Sequence, residues 1–274
     1  MNDVNLNGLI FSAETQRSRG AEKTRKPQRD TVTHEQCGQP LRVKIFPPSA
    51  PLRLCVSALR LFVIALIATT QPAHAAEDKG KILYQNDFSK GEIGKLPDEM
   101  LLLDGGFAVQ EVAGNKVLQL PGAPLETFGV LFGPTESSGL VASARVHSTK
   151  KGRREPAFAL GLNGNAGYKL QISAAKKLVE LYKGDDVVAT AAFAWESDSW
   201  TMLKLQVRKV KDGEFAVEGK AWKQGTPEPE KWTVTFTEKT EAGKEPSAGR
   251  ASLWGNPFAG TPIDFDDVVV SAVK

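Results

Sequence analysis

Trp200-Thr201-Met202-Leu203-Lys204-Leu205-Gln206-Val207-Arg208-Lys209, then Asp212-Gly213, then Glu214-Phe215-Ala216-Val217-Glu218-Gly219-Lys220-Ala221-Trp222, is the stretch that decides the fold. Leu203, Leu205 and Val207 alternate with Lys204, Gln206 and Arg208, the period of two that puts successive side chains on opposite faces of a strand. After the turn, Phe215, Val217 and Ala221 alternate in the same way with Glu218, Lys220 and Trp222. Asp-Gly supplies the positive-φ conformation that a tight hairpin demands. The reading is therefore two antiparallel strands, each with one face in a core and one in water.

Working outward, the same grammar repeats. Leu140, Ala142, Ala144 and Val146 oppose Ser143, Arg145 and His147, and Tyr168, Leu170 and Ile172 oppose Lys169, Gln171 and Ser173. Further hairpin signals stand at Gly114-Asn115, Asn163-Gly164 and Gly184-Asp185. Short runs at 81–87, 107–113, 116–120, 127–132, 157–163, 177–182, 187–193, 231–237, 249–254 and 263–273 complete the candidate strands. The best helical candidate, 174–180, is short, and segments 224–230 and 240–248 read as loops. Many strands with almost no helix predict an all-β, antiparallel two-sheet sandwich of jelly-roll type spanning 77–274.

Upstream, the chain changes character. Arg53 and Arg60 precede the apolar run Leu61–Ala68, which leads to Ala73-His74-Ala75 and Ala76. A charged region, a short apolar stretch and an A-x-A site are the marks of a cleaved signal peptide, here 51–76. The run falls well short of the roughly 20 apolar residues of a spanning helix, so no stable membrane span is expected after processing. Residues 1–50 are a polar extension, either disordered or preceding the true start of translation. The expected location is secreted or periplasmic, in a bacterium.

Charge and composition exclude several classes. Residues 1–76 carry ten basic and five acidic side chains, so the remainder of the 274-residue, +3 chain is slightly acidic, and nucleic acid is not an expected partner. Both cysteines, Cys37 and Cys55, precede position 77, which leaves no disulfide and no thiol chemistry in the domain. His147 is the one histidine after position 76, so a site built on several imidazoles is excluded.

Three segments together carry a resemblance: Lys81–Phe88 ending in Asp87-Phe88, Ser199–Val207 with Trp200 opening the strand, and Gly249–Trp254 leading to Ile263-Asp264-Phe265-Asp266-Asp267-Val268. This pattern resembles the concanavalin A-like lectin/glucanase superfamily, and within it laminin-G-like modules and 3-keto-disaccharide hydrolase domains. Gly167-Tyr168-Lys169-Leu170-Gln171-Ile172 is similar to a strand of the hydrolase group, while Ala159–Asn163 stands where that group has Asn-Ser-Gly. The resemblance implies a jelly roll and carbohydrate as partner.

Candidate residues follow from the polar faces. Arg145, His147, Lys169, Gln171, Lys204, Gln206, Arg208, Lys220 and Trp222 form one basic, amide-bearing face with an aromatic platform if their strands are neighbours. Stacking on Trp222 with directed hydrogen bonds suits a sugar, and the cations favour an acidic glycan; alternatively these are ordinary solvated charges. Trp254 either presents its ring to a ligand at the rim or plugs the end of the core, and Trp200 and Trp232 are expected in the core. Asp87, Asp264, Asp266 and Asp267 are the densest carboxylates and the expected ligands for calcium, an ion that takes six to eight oxygens; the alternative is that they cap strand ends. No E-x-D-x-x-E strand and no Ser/His or Cys/His set is present, so a non-catalytic binding or extracellular interaction module is expected. A glycoside-cleaving enzyme and a structural envelope protein are the alternatives.

Overall fold

The computed structural model describes residues 80–123 and 126–273. The expected signal peptide at 51–76, the extension at 1–50 and both cysteines lie outside them. Among the described residues fifteen strands run in chain order: β1 Ile82–Asn86, β2 Leu101–Asp104, β3 Ala108–Val112, β4 Asn115–Leu120, β5 Phe128–Glu136, β6 Leu140–Ser148, β7 Ala157–Leu162, β8 Tyr168–Ser173, β9 Leu178–Lys183, β10 Asp186–Ala192, β11 Thr201–Lys211, β12 Glu214–Lys223, β13 Val234–Lys239, β14 Gly249–Asn256 and β15 Ile263–Ala272. They form two antiparallel sheets. The eight-stranded sheet has the order β13-β12-β11-β6-β15-β4-β3, with β1 also paired to β15; the seven-stranded sheet runs β10-β9-β8-β7-β14-β5-β2.

Alternation places the core between the sheets. Leu140, Ala142, Ala144, Val146, Leu203, Leu205 and Val207 of one sheet meet Leu160, Leu162, Leu170, Ile172, Leu181 and Leu253 of the other, all buried. At about 25 cal/mol per Å2 of apolar surface removed from water, this interlayer is the dominant stabilising term.

Turn chemistry sets the hairpins. Asp212-Gly213 joins β11 to β12 with Gly213 at φ 68°. In the β3–β4 turn the positive-φ pair is Ala113-Gly114, one residue earlier than the expected Gly114-Asn115. Two local expectations fail. The segment 174–180 is a 3-10 turn at Ala174–Lys176 running straight into β9, because Val179 and Leu181 must alternate inward with the sheet. Strand β2 was not expected, since Leu101-Leu102-Leu103 has no polar alternation; it is an exposed edge strand held by β5.

Along one edge, β15 has two partners: Ile263–Phe265 pair with β4, and residues 268–271 pair with β1. Between them its ladder to β6 is broken by a bulge after Asp266, with Asp267 in the left-handed region at φ 48°.

Candidate functional site

The expected single polar face does not form. Arg145, His147, Lys204, Gln206, Arg208, Lys220 and Trp222 point outward from the eight-stranded sheet, whereas Lys169, Gln171 and Trp254 point outward from the seven-stranded one. Strands β6, β11 and β12 are neighbours, but β8 sits in the opposite layer, a partition that alternation alone cannot reveal.

On the eight-stranded sheet the cations are paired. Arg145 binds Asp266 at 2.6 Å and lies 2.9 Å from Asp267. Arg208 Nε donates to Glu218 at 2.9 Å and Gln206 to the same carboxylate at 2.6 Å. Glu228 takes Lys204 at 2.9 Å and Lys220 at 2.6 Å. It comes from the 224–230 loop, which folds back over the sheet; Lys220 also donates to Pro229 O at 2.8 Å and is only 4% exposed. Burial opposes the charge on Glu228, but hydrogen bonds from both lysines hold its carboxyl below the usual range. The face is thus charge-compensated and partly roofed, which removes the physical reason for expecting an acidic glycan there.

Tryptophans also depart from expectation. Trp222 is half-buried in a transverse row with Met202, Arg145 and Asp266. Trp200 and Trp232 are not in the core. The Arg145 guanidinium lies 4.6 Å from the Trp200 ring, which also meets His147 at 5.4 Å, and Lys220 Nζ lies 4.8 Å from Trp232. Outward-facing cations of β6 and β12 draw these indoles outside the sheet.

The four aspartates do not form a calcium cage. Asp264 accepts from Gln119 at 2.7 Å and contacts His147 Nδ1 at 3.2 Å; Asp266 accepts from Arg145, Asn115 and the Asp267 N–H. Their oxygens are engaged by side-chain and backbone donors. Among the described residues no group of three or more His, Cys, Asp or Glu side chains is arranged to hold a metal ion. Asp87 and Asp267 instead line a cleft beside β1. His147 bridges buried Asp264 and exposed Asp198 (3.1 Å from Nε2), and the hydrogen bond to Asp264 raises its pKa above the ordinary value against the pull of burial.

The seven-stranded sheet offers a different surface. Thr190, Glu180, Gln171, Ala159, Trp254 and Gly129 form one transverse row, and Tyr182, Lys169, Gly161, Ser252 and Leu131 the next. Ala157, Ala159 and Gly161 on β7 and Gly129 on β5 carry small side chains or none, so the middle of this face is low. Trp254 belongs to strand β14, not to a rim loop, and is buried at 8% exposure on the outer side of the sheet, with the Lys169 ammonium over its ring. Its ring occupies the space beside Gly129, where an added Cβ would sit 2.7 Å from Cε3 and Cζ3. The indole N–H donates to Ser252 Oγ at 2.8 Å, and Lys169 Nζ stands 5.1 Å from that ring and 5.8 Å from the Tyr182 ring.

Beside this floor stands a polar wall. Glu180, 3% exposed, accepts from Ser173 Oγ, from Tyr182 OH at 3.2 Å and from Lys176 at 3.0 Å. Burial pushes its carboxyl up, but these donors outweigh it and hold the pKa low. Gln171 Nε2 donates to Ser173 at 2.9 Å and approaches Tyr182 OH at 3.4 Å. The network orients the Gln171 amide and the Tyr182 hydroxyl. Strands β14 and β8 are separated by β7 alone, so wall and floor lie about 10 Å apart by ordinary strand spacing. Sequence reasoning found Lys169, Gln171 and Trp254 but missed Tyr182, Glu180 and the glycine floor. The alternation of Glu180 and Tyr182 with Val179 and Leu181 was the available signal.

No family model matches the sequence, and no curated protein sequence does either. Similar solved structures include the carbohydrate binding module CBM66 from Bacillus subtilis (14% identity, 64% of this chain and 96% of that one, TM-score 0.42). Others are a Bacillus subtilis protein with a galectin-like fold (13%, 72% and 99%, TM-score 0.48) and the carbohydrate recognition domain of Emp47p (9%, 71% and 98%, TM-score 0.48).

Proposed function

We propose that residues 77–274 are a non-catalytic carbohydrate-binding module of jelly-roll type, exported from a bacterium after removal of 51–76. The observation that carries this reading is the Trp254 floor flanked by the Gln171–Tyr182 wall. A sugar ring has apolar C–H faces and equatorial hydroxyls; it takes an indole beneath it and fixed amide and phenol groups beside it. Lys169 lies over the indole with an aliphatic stem that can swing aside. Glu180 is already paired with Lys176, so the charge that remains beside the indole is that of Lys169. Glu180 is locked by three donors and has no role as an acid or base, which supports binding over cleavage.

Retention on insoluble polysaccharides tests the reading. The protein is expected to be held by at least one, with Trp254→Ala losing retention and Trp222→Ala keeping it. Failure of every polysaccharide to hold the protein, or equal retention of both variants, overturns it.

A further inference from the structure

Lys150-Lys151-Gly152-Arg153-Arg154 places four cations in one short run of a domain that is otherwise slightly acidic. The run lies in the link from β6 to β7, which carries the chain from one sheet to the other. Gly152, at φ 63°, turns a tight hairpin in which Lys151 and Arg154 exchange backbone hydrogen bonds at 3.0 and 3.1 Å. Its base is pinned as well. Thr261 Oγ1 donates to Thr149 O at 2.6 Å, and the Lys150 N–H donates to Ser197 Oγ at 2.9 Å. The backbone thus holds the four charges together on a fixed frame.

Like charges directly opposite one another across an antiparallel pair repel, and Lys151 faces Arg154 in that way. By contrast, Lys204, Arg208 and Lys220 each meet a glutamate, and Lys95, Lys209, Lys211 and Lys244 each meet a carboxylate nearby in sequence. Among the described residues no carboxylate lies within ion-pair distance of Lys150, Lys151, Arg153 or Arg154, and all four are exposed. An ordered, uncompensated set of donors is completed by an anionic partner, and arginine forks match carboxylates in particular. The hairpin also lies near the Trp254 trough. Ala159 on β7 stands beside Trp254, and Arg154 precedes it on the same stretch of chain, at most about 17 Å away at ordinary strand rise. Lys169, the charge left beside the indole, has the same sign.

We propose that this hairpin is a docking surface for an acidic polysaccharide, whose carboxylates are taken by Lys150, Lys151, Arg153 and Arg154. That a saccharide carries the negative charge rests on the trough reading above; the call for a polyanion does not. The tip 149–155 has no apolar side chain to enter a bilayer and no aromatic ring to stack a nucleic-acid base.

Calorimetric titration of the secreted protein with polygalacturonate tests the proposal, with the methyl-esterified polymer as the neutral counterpart. The acidic polymer is expected to bind at least about tenfold tighter than the ester. Its affinity falls by about tenfold or more between roughly 50 and 300 mM salt, because exposed charges are screened. Lys150→Gln, Lys151→Gln, Arg153→Gln and Arg154→Gln together remove the binding without lowering the melting temperature. Lys95→Gln, Lys209→Gln, Lys211→Gln and Lys244→Gln together, the same charge removed elsewhere, leave it intact. Loss in the hairpin variant supports the proposal whether or not Trp254→Ala weakens binding, so a failed trough stays distinguishable from a failed hairpin. Absence of binding, equal affinity for acid and ester, or equal loss in both fourfold variants overturns it. So does equally tight binding of anionic lipid vesicles or duplex DNA.

Discussion

Gly129→Ala tests the trough more sharply than removal of the tryptophan. Position 129 is a strand residue without a positive φ. On backbone grounds alone, alanine would therefore stabilise by about 0.4–1 kcal/mol, through a less flexible unfolded chain. The packing argument has the opposite sign. The new methyl would lie 2.7 Å from two Trp254 ring carbons and 3.0 Å from a third, closer than carbon atoms approach. The ring cannot slide freely, because its N–H is tied to Ser252 and a Cβ at Gly161 would already be 3.4 Å from Nε1. Overpacking of this kind costs about 1–3 kcal/mol, so a net loss of about 1–2 kcal/mol is expected. For a domain of this size that lowers the melting temperature by roughly 2–8 °C. In a Trp254→Ala background the clash is gone, and Gly129→Ala becomes neutral or stabilising. Thermal and urea unfolding of the four proteins closes the cycle. Additive effects, or a stabilised single Gly129→Ala variant, would refute a ring seated on that glycine.

Other expectations are independent of the trough. His147 has a folded pKa above its unfolded value of about 6.5, so its contribution is fully present below that pH and is lost as pH rises through the folded value. Urea midpoints should fall over that window, and Asp264→Asn should flatten the profile; a pH-independent wild type contradicts this. Glu228→Gln removes the carboxylate charge paired with buried Lys220 and leaves neutral acceptors, Pro229 O and the glutamine amide oxygen, in its place. It is expected to cost about 2 kcal/mol, below the 3–5 typical of a fully buried pair because Glu228 is partly exposed. A melting temperature unchanged within 1 °C, on the size scaling used above, argues against the roofed lysine.

The hairpin around Asp212-Gly213 shows what alternation can deliver. Every inward residue read from 140–146, 168–172 and 203–207 is buried between the sheets, because period two is a local property of the chain. Sheet membership is not local. Lys169 and Lys204 carry the same sequence signature yet lie on opposite outer surfaces, since strand order is set by long-range pairing. Trp200 and Trp232 were misplaced for a related reason: an indole outside a sheet is favoured by the cation it meets, and Arg145 and Lys220 come from other strands. The aspartates of 264–267 were legible as a cluster but not as partners of His147, Gln119, Asn115 and Arg145. The trough was half legible, its aromatic and amide visible and its glycine floor silent, because absent side chains signal nothing until their neighbours are known.

All five tryptophans lie after position 194, so an indole N–H spectrum reports on every surface at once. Titration with an oligosaccharide from a polysaccharide that retains the protein is the most direct test of the trough. The account predicts a shift of the Trp254 indole, hydrogen-bonded to Ser252, with Trp200, Trp222 and Trp232 unmoved. Movement of Trp222 or Trp200 with a stationary Trp254 would place the sugar on the eight-stranded sheet and contradict it.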